Sequence, residues 1–143
     1  MLLDAKINAL QSFFDDLYLS LRSEMFTALK KYKKDIEEAN KSKLLKGIDT
    51  EGKSLGRYKN FEYKQRFTPV DLKLTGDFHN SIKAEFSKTD FVIEAIDFKT
   101  KFLEKKYGEN IVGISDVELL ELVDLELPPI MQKLKNDISN TIR

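Results

Sequence analysis

Apolar residues recur at three- and four-residue steps over the first part of the chain: Ile7, Leu10, Phe14, Leu17, Leu21, Met25 and Leu29. That spacing returns side chains to one side of an α-helix on every turn. It predicts a helix beginning near Asp4, a residue type suited to the N-cap. Tyr32, Ile36 and Ala39 continue the spacing past a basic run, and neither Gly nor Pro occurs before Gly47. The pattern therefore predicts one long helix, or two joined at a bend, up to the mid-forties. Gly47 and Gly52 flank Asp49, Thr50 and Glu51, and two glycines this close supply the backbone freedom of a tight turn, which ends the helix.

Residues 53–71 have no clean period, and Thr68-Pro69 biases the backbone toward extended forms, so this stretch reads as an irregular loop or arm. From Asn80 the pattern alternates, with Ile82, Ala84 and Phe86 on one face and Ser81, Lys83 and Glu85 on the other. Ser87-Lys88-Thr89-Asp90 reads as a turn. Residues 91–96 form the return strand, which is more apolar and hence expected to be the more central. Residues 99–107 suit a short helix closed by Gly108, and Ser115 with Glu118 forms a capping box for the next helix. That helix carries Val117, Leu119, Leu120, Leu122, Val123, Leu125 and Leu127, more apolar positions than one stripe needs. It is expected to be buried on several sides or to meet a partner. Pro128-Pro129 should break or restart it, and Ile130, Leu134, Ile138 and Ile142 then continue at four-residue steps. The fold class expected is α+β: a long N-terminal helix, a small antiparallel sheet with a central hairpin, and C-terminal helices packed on the sheet. Residues 1–143 read as a single domain with an irregular arm at about 53–71.

Composition narrows the function. The 143 residues are 41% hydrophobic and 34% charged, ordinary for a folded chain with a heavily charged surface. There is no Cys, which excludes disulfides, a thiol nucleophile and thiolate metal sites. The first residues lack the pattern of a signal peptide and no apolar run approaches membrane-spanning length, so the expectation is a protein made in a cytoplasm, with no membrane partner.

Charge is balanced, with 24 basic and 24 acidic side chains, yet segregated by sign. Lys30, Lys31, Lys33, Lys34, Lys41, Lys43 and Lys46 crowd one segment. Residues 109–126 carry Glu109, Asp116, Glu118, Glu121, Asp124 and Glu126 with no Lys or Arg among them. One reading is two solvated faces of opposite sign. The other is a subunit interface in which Lys30 and Lys34 of one copy meet Glu118, Glu121 and Asp124 of the next, head to tail, closing a ring.

Candidate chemistry is sparse. His79 is the only histidine, so any Ser-His-Asp or His-based metal site must include it, with Asp77 and Ser81 as neighbours that would share its face in an extended segment. A solvated or structurally bonded histidine is the plainer reading. Residues 49–52 resemble the start of a calcium loop, but Lys53 stands where an oxygen ligand belongs and the terminal bidentate Glu is missing. The pairs Asp15-Asp16 and Glu37-Glu38 fall on the charged sides of predicted helices, where nothing would raise a carboxyl pKa for acid catalysis. No phosphate-binding glycine loop is present. No catalytic, cofactor-binding or metal residue is assigned, and an enzyme is not expected.

Residues 57–67 interleave cations with rings: Arg57, Tyr58, Lys59, Phe61, Tyr63, Lys64, Arg66 and Phe67. Rings that stack on bases beside cations that neutralise phosphates are the means of single-strand binding. The alternative function is therefore a small nucleic-acid-binding or adaptor module, with Arg57, Tyr58, Lys59, Lys64 and Arg66 as contacts. The same rings could instead anchor the loop to the body.

Three segments carry a family likeness. Residues 47–53 read G-x-D-x-x-G-K, and Leu74-Thr75-Gly76-Asp77-Phe78-His79-Asn80-Ser81-Ile82 follows after the basic-aromatic stretch, with Lys106-Tyr107-Gly108 leading a third element to Ser115. In this order and spacing, over about residues 44–127, the chain resembles the bacteriophage tail-completion and head-tail joining proteins. It departs from many relatives in having no Trp in the early turn region. The resemblance implies a structural virion subunit at the neck or tail end, assembled in the host cytoplasm. It would form a ring with copies of itself and touch neighbouring connector or tail proteins, with possible sequence-independent contact to genomic DNA. It further implies that Gly47, Asp49 and Gly52 shape one turn, and that Thr75, Gly76, Asp77 and Phe78 set the way into the sheet.

Overall fold

The computed structural model describes residues 1–59, 68–73 and 75–142, with the backbone alone for the last two. Helix α1 (Leu2–Leu29) passes through a 3-10 turn at Lys30–Tyr32 into α2 (Lys33–Leu45). Then come α3 (Asp77–Asn80), strands β1 (Ile82–Phe86) and β2 (Phe91–Ala95), α4 (Thr100–Tyr107), a 3-10 turn at Glu109–Ile111, and α5 (Asp116–Ile142). The architecture is α+β, with the long N-terminal helical region interrupted once, at the 3-10 turn. Asp4 lies in the first turn of α1, where its charge suits the positive helix end, and not at the N-cap.

The strands form one antiparallel pair, with Ile82 opposite Ala95 and Phe86 opposite Phe91. Ile82 and Ala84 are buried on the inner face of β1 while Lys83 and Glu85 face out, as the alternation required. The expectation that the return strand is the more central is corrected. β2 keeps its inward side chains only half-buried, because α2 packs on β1. Leu44, Phe78, Ile82 and Ile111 form the core, with Leu55, Leu72, Ile93 and Leu103 packed around them. Each such side chain stabilises the fold by about 1.5–3 kcal/mol relative to exposure.

At the far end of the hairpin, Phe86 stacks on Phe91 at 5.5 Å, Phe91 lies 6.1 Å from Phe26, and an Arg22 Nη2 donates to the Thr89 carbonyl at 2.7 Å. The later half of α1 thus supports the sheet. Helix α5 runs antiparallel to α1, because Lys31 pairs with Glu126 while Glu24 pairs with Lys133 seven residues away in each direction. Pro128 and Pro129 do not divide α5, contrary to expectation. Both prolines are exposed, as are Asp124 and Leu125, whose carbonyls lose their donors, so water can satisfy those groups. Among the described residues, no helix is long and apolar enough to cross a membrane.

Candidate functional site

The apolar stripe of α1 divides into two halves with different surroundings. Leu17, Leu21, Met25 and Ala28 are half-buried and Leu29 is buried where α5 runs alongside. The same stripe continues toward the N-terminus through Phe14, Leu10, Ile7 and Leu3, which are 55%, 56%, 56% and 68% exposed. The steps from Leu3 to Leu21 alternate between four and three residues, the spacing of a helix seam that receives a second helix. On α5, Val117, Leu120 and Leu125 are exposed with Glu121 and Asp124 among them.

Part of the charge segregation is resolved within the chain. Glu126 is buried and its Oε1 accepts from Lys31 Nζ and, at 2.6 Å, from the Tyr32 hydroxyl. These partners, Lys31 first, hold the Glu126 carboxyl below its ordinary range, and the same contact pushes both Lys31 and Tyr32 up. Lys43 donates to Glu118 and to the Thr50 carbonyl at 3.1 Å, joining α2, the 47–53 turn and α5. Glu118 is therefore engaged inside the chain, whereas Lys30, Lys34, Glu121 and Asp124 are exposed. Only one arm of the expected capping box forms. The Glu118 N–H donates to Ser115 Oγ at 3.2 Å, and the Glu118 carboxylate goes to Lys43 instead of returning.

The motif residues serve as joints. Asp49 is buried and its Oδ1 accepts the N–H groups of Glu51 and Lys53, both at 2.9 Å, so its carboxylate is occupied in shaping the turn. Gly47 has φ of +76°, and a Cβ there would lie 2.7 Å from Pro69 Cβ. Gly52 has φ of +82° with open space around it. The Thr75 hydroxyl donates to Asp77 at 2.8 Å, Gly76 caps α3, and this single turn sends Phe78 into the core and the chain into β1. The extended form assumed for Asp77, His79 and Ser81 is corrected accordingly. Asp77 is exposed, while His79 is buried with Nε2 2.6 Å from the Asp71 carbonyl, which requires the proton on Nε2. Burial pushes the imidazole below its ordinary pKa. Glu37 is a second correction, because it is buried and not on a charged outer face; its Oε2 has no partner among the described residues. Among the described residues no cluster of His, Asp or Glu could hold a metal ion.

Residues 56–58 pair with 68–70 through Tyr58 N–H to Thr68 O at 2.9 Å and Val70 N–H to Gly56 O at 3.0 Å. The Tyr58 hydroxyl donates to Asp71 and accepts from the Leu72 N–H, each at 3.2 Å, so Tyr58 is an anchor as well as a wall. Beside this ladder lies a cavity of about 810 Å³ that Arg57, Tyr58 and Lys59 line together with Lys73 and residues of α4. Lys64 and Arg66, also named as nucleic-acid contacts, lie outside the described residues. Sequence reasoning left out Lys99, Phe102 and Lys106 on the opposite wall. Their three- and four-residue spacing on a helix was the available signal.

The chain matches no protein-family model, no curated protein and no solved structure.

Proposed function

We propose that this chain is a structural subunit of a bacteriophage particle, at the head-tail neck or the tail end, and that it transforms no substrate. It works by fitting between copies of itself and neighbouring connector or tail proteins. The observation that carries the reading is the α1 stripe, covered by α5 over one half and bare from Leu3 to Phe14. Extending the register of the two ion pairs places the end of α5 beside about residue 15 of α1, leaving the lane beyond it open for another helix. A second copy supplies one. The outer side of its α5 presents Val117, Leu120 and Leu125 to that lane, with the exposed Glu121 and Asp124 among them, while the exposed Lys30 and Lys34 lie about 24 Å or more along the helix from Phe14 and would meet a neighbour at a separate contact. A contact between two different surfaces propagates head to tail and closes into a ring when its rotation permits. The resemblance of residues 44–127 to tail-completion and head-tail joining proteins points the same way, and so does the use of the motif residues as joints.

Light scattering over a concentration series, with negative-stain microscopy, tests this. The chain should form annular oligomers, and Leu10→Glu with Phe14→Glu should release monomers that circular dichroism shows still folded, since both side chains face water in the single chain. Reversal of Glu121 and Asp124 to Lys should weaken the same oligomer. A strict monomer, coupled with absence of the polypeptide from purified parent particles, overturns the proposal.

A further inference from the structure

The cavity between the 56–58 ladder and α4 has a composition that the assembly reading does not use. Its lining holds Arg57, Lys59, Lys73, Lys99 and Lys106 against one carboxylate, Asp77, which accepts the Thr75 hydroxyl. Among the described residues, none of the four lysines has a carboxylate within salt-bridge distance, whereas Lys31, Lys33, Lys41, Lys43 and Lys133 all do. Concentrating like charge in a concave site raises the local potential and holds anions there. At about 810 Å³ the cavity lies in the size range of ligand sites.

Rings distinguish which anion fits. Lys99, the N-cap residue of α4, falls on the same side as Phe102 and Lys106 of that helix, so a ring that is 66% exposed stands between two cations. Tyr107 continues the wall, with Lys106 Nζ 5.4 Å from its ring centroid, and Lys99 Nζ lies 5.5 Å from the ring centroid of Phe98. An acidic peptide would use the cations and leave the Phe102 ring in water. A single strand of nucleic acid uses both, with phosphates on the lysines and a base on the ring. We infer that this groove binds single-stranded nucleic acid without sequence preference, with Phe102 as the stacking platform and Lys59, Lys73, Lys99 and Lys106 as phosphate contacts. The inference stands apart from the oligomeric state, because neither the α1 stripe nor Glu121 and Asp124 lines the groove.

Fluorescence anisotropy with a labelled oligothymidylate, titrated with salt, reads the binding directly. Four phosphate contacts on a single strand give a slope of log K against log salt near about −3. Phe102→Ala should weaken binding by about tenfold and Phe102→Tyr should retain it. Lys99→Glu with Lys106→Glu should abolish it, and circular dichroism should show all three variants folded. Absence of binding at low salt overturns the inference. So does a Phe102→Ala protein of unchanged affinity, or displacement of the oligonucleotide by polyglutamate as readily as by unlabelled strand, which would mark an acidic-peptide groove instead.

Discussion

Asn40 holds both backbone groups of Gly113. Its Oδ1 accepts the Gly113 N–H at 2.9 Å and its Nδ2 donates to the Gly113 carbonyl at 2.8 Å, while the same Nδ2 also donates to Ile36 O at 2.8 Å. Asn40 is 3% exposed, so these bonds form away from bulk water. With the Thr50 N–H to Asn110 O bond at 2.9 Å, this clamp fixes the 110–113 loop against α2 and sets where α5 begins. Asn40→Ala deletes three hydrogen bonds and leaves the half-buried Gly113 N–H without its partner, and it should cost about 2–4 kcal/mol in urea unfolding. A loss under about 0.5 kcal/mol would show that the loop is held by packing alone.

The two glycines of the 47–53 turn should respond differently to the same change. Both have positive φ, so Ala at either position meets backbone strain of roughly 1 kcal/mol. Gly52→Ala meets nothing further. Gly47→Ala brings a Cβ to 2.7 Å from Pro69 Cβ and 3.3 Å from Val70 O, and would push the 68–70 strand of the ladder outward. Gly47→Ala should therefore destabilise by about 2 kcal/mol or more beyond Gly52→Ala. Equal losses at the two sites would place the whole effect in φ.

Local patterns carried those elements whose signal is itself local. The three-four spacing of α1, the Ser115 cap, Gly108 closing α4 and the alternation of β1 each depend on a few neighbouring residues, and each appears where its pattern lay. What could not be read depends on contacts distant in sequence. The bare and covered halves of α1 have the same spacing and differ only in whether α5 lies alongside. Glu37 and Glu38 are adjacent in an acidic pair, yet packing buries one and exposes the other. The prolines of α5 suggested a break because propensity counts the missing hydrogen bonds without knowing that Asp124 and Leu125, which carry the freed carbonyls, are exposed. The cations of the groove come from three separate segments, so a reading confined to residues 57–67 could find only one wall.

Buried strand positions should outrank exposed ones despite similar chemistry. Ile82 is fully buried in the core, whereas Val92, on the outer face of β2, is 45% exposed. Ile82→Ala should cost about 3–5 kcal/mol through lost burial and the cavity left, and Val92→Ala about 1 kcal/mol or less. Chemical denaturation of both variants checks the order. A reversed order would make β2 the strand on which the core depends.

His79 should make the fold sensitive to mild acid. Its folded pKa is lowered by burial, so between the ordinary value of 6.5 and that lower value the unfolded chain binds the proton that the folded chain refuses. The contribution is complete above pH 6.5 and lost as pH falls below it. Thermal midpoints measured from pH 8 downward should begin to drop near pH 6.5, and His79→Gln should flatten that decline. A decline of the same slope in the variant would assign it to other groups.

Glu126 predicts a second and separate acid window. Lys31 and Tyr32 lower its pKa from the ordinary value of 4.5, so its contribution is present above pH 4.5 and lost as pH falls through the folded value. Glu126→Gln keeps an oxygen for the Tyr32 hydroxyl but removes the charge that Lys31 meets, so it should lower the thermal midpoint at pH 7 and leave the His79-linked decline intact. The same variant should lose part of the steeper fall below pH 4.5. At the alkaline end the sign reverses, because Lys31 and Tyr32 are raised and their contribution disappears as pH climbs through their folded values. Midpoints of wild type and Glu126→Gln should therefore converge at both extremes of pH and differ most between them. A constant difference across the whole range would mean that the α1 and α5 seam depends on the shape of Glu126 and not on its charge.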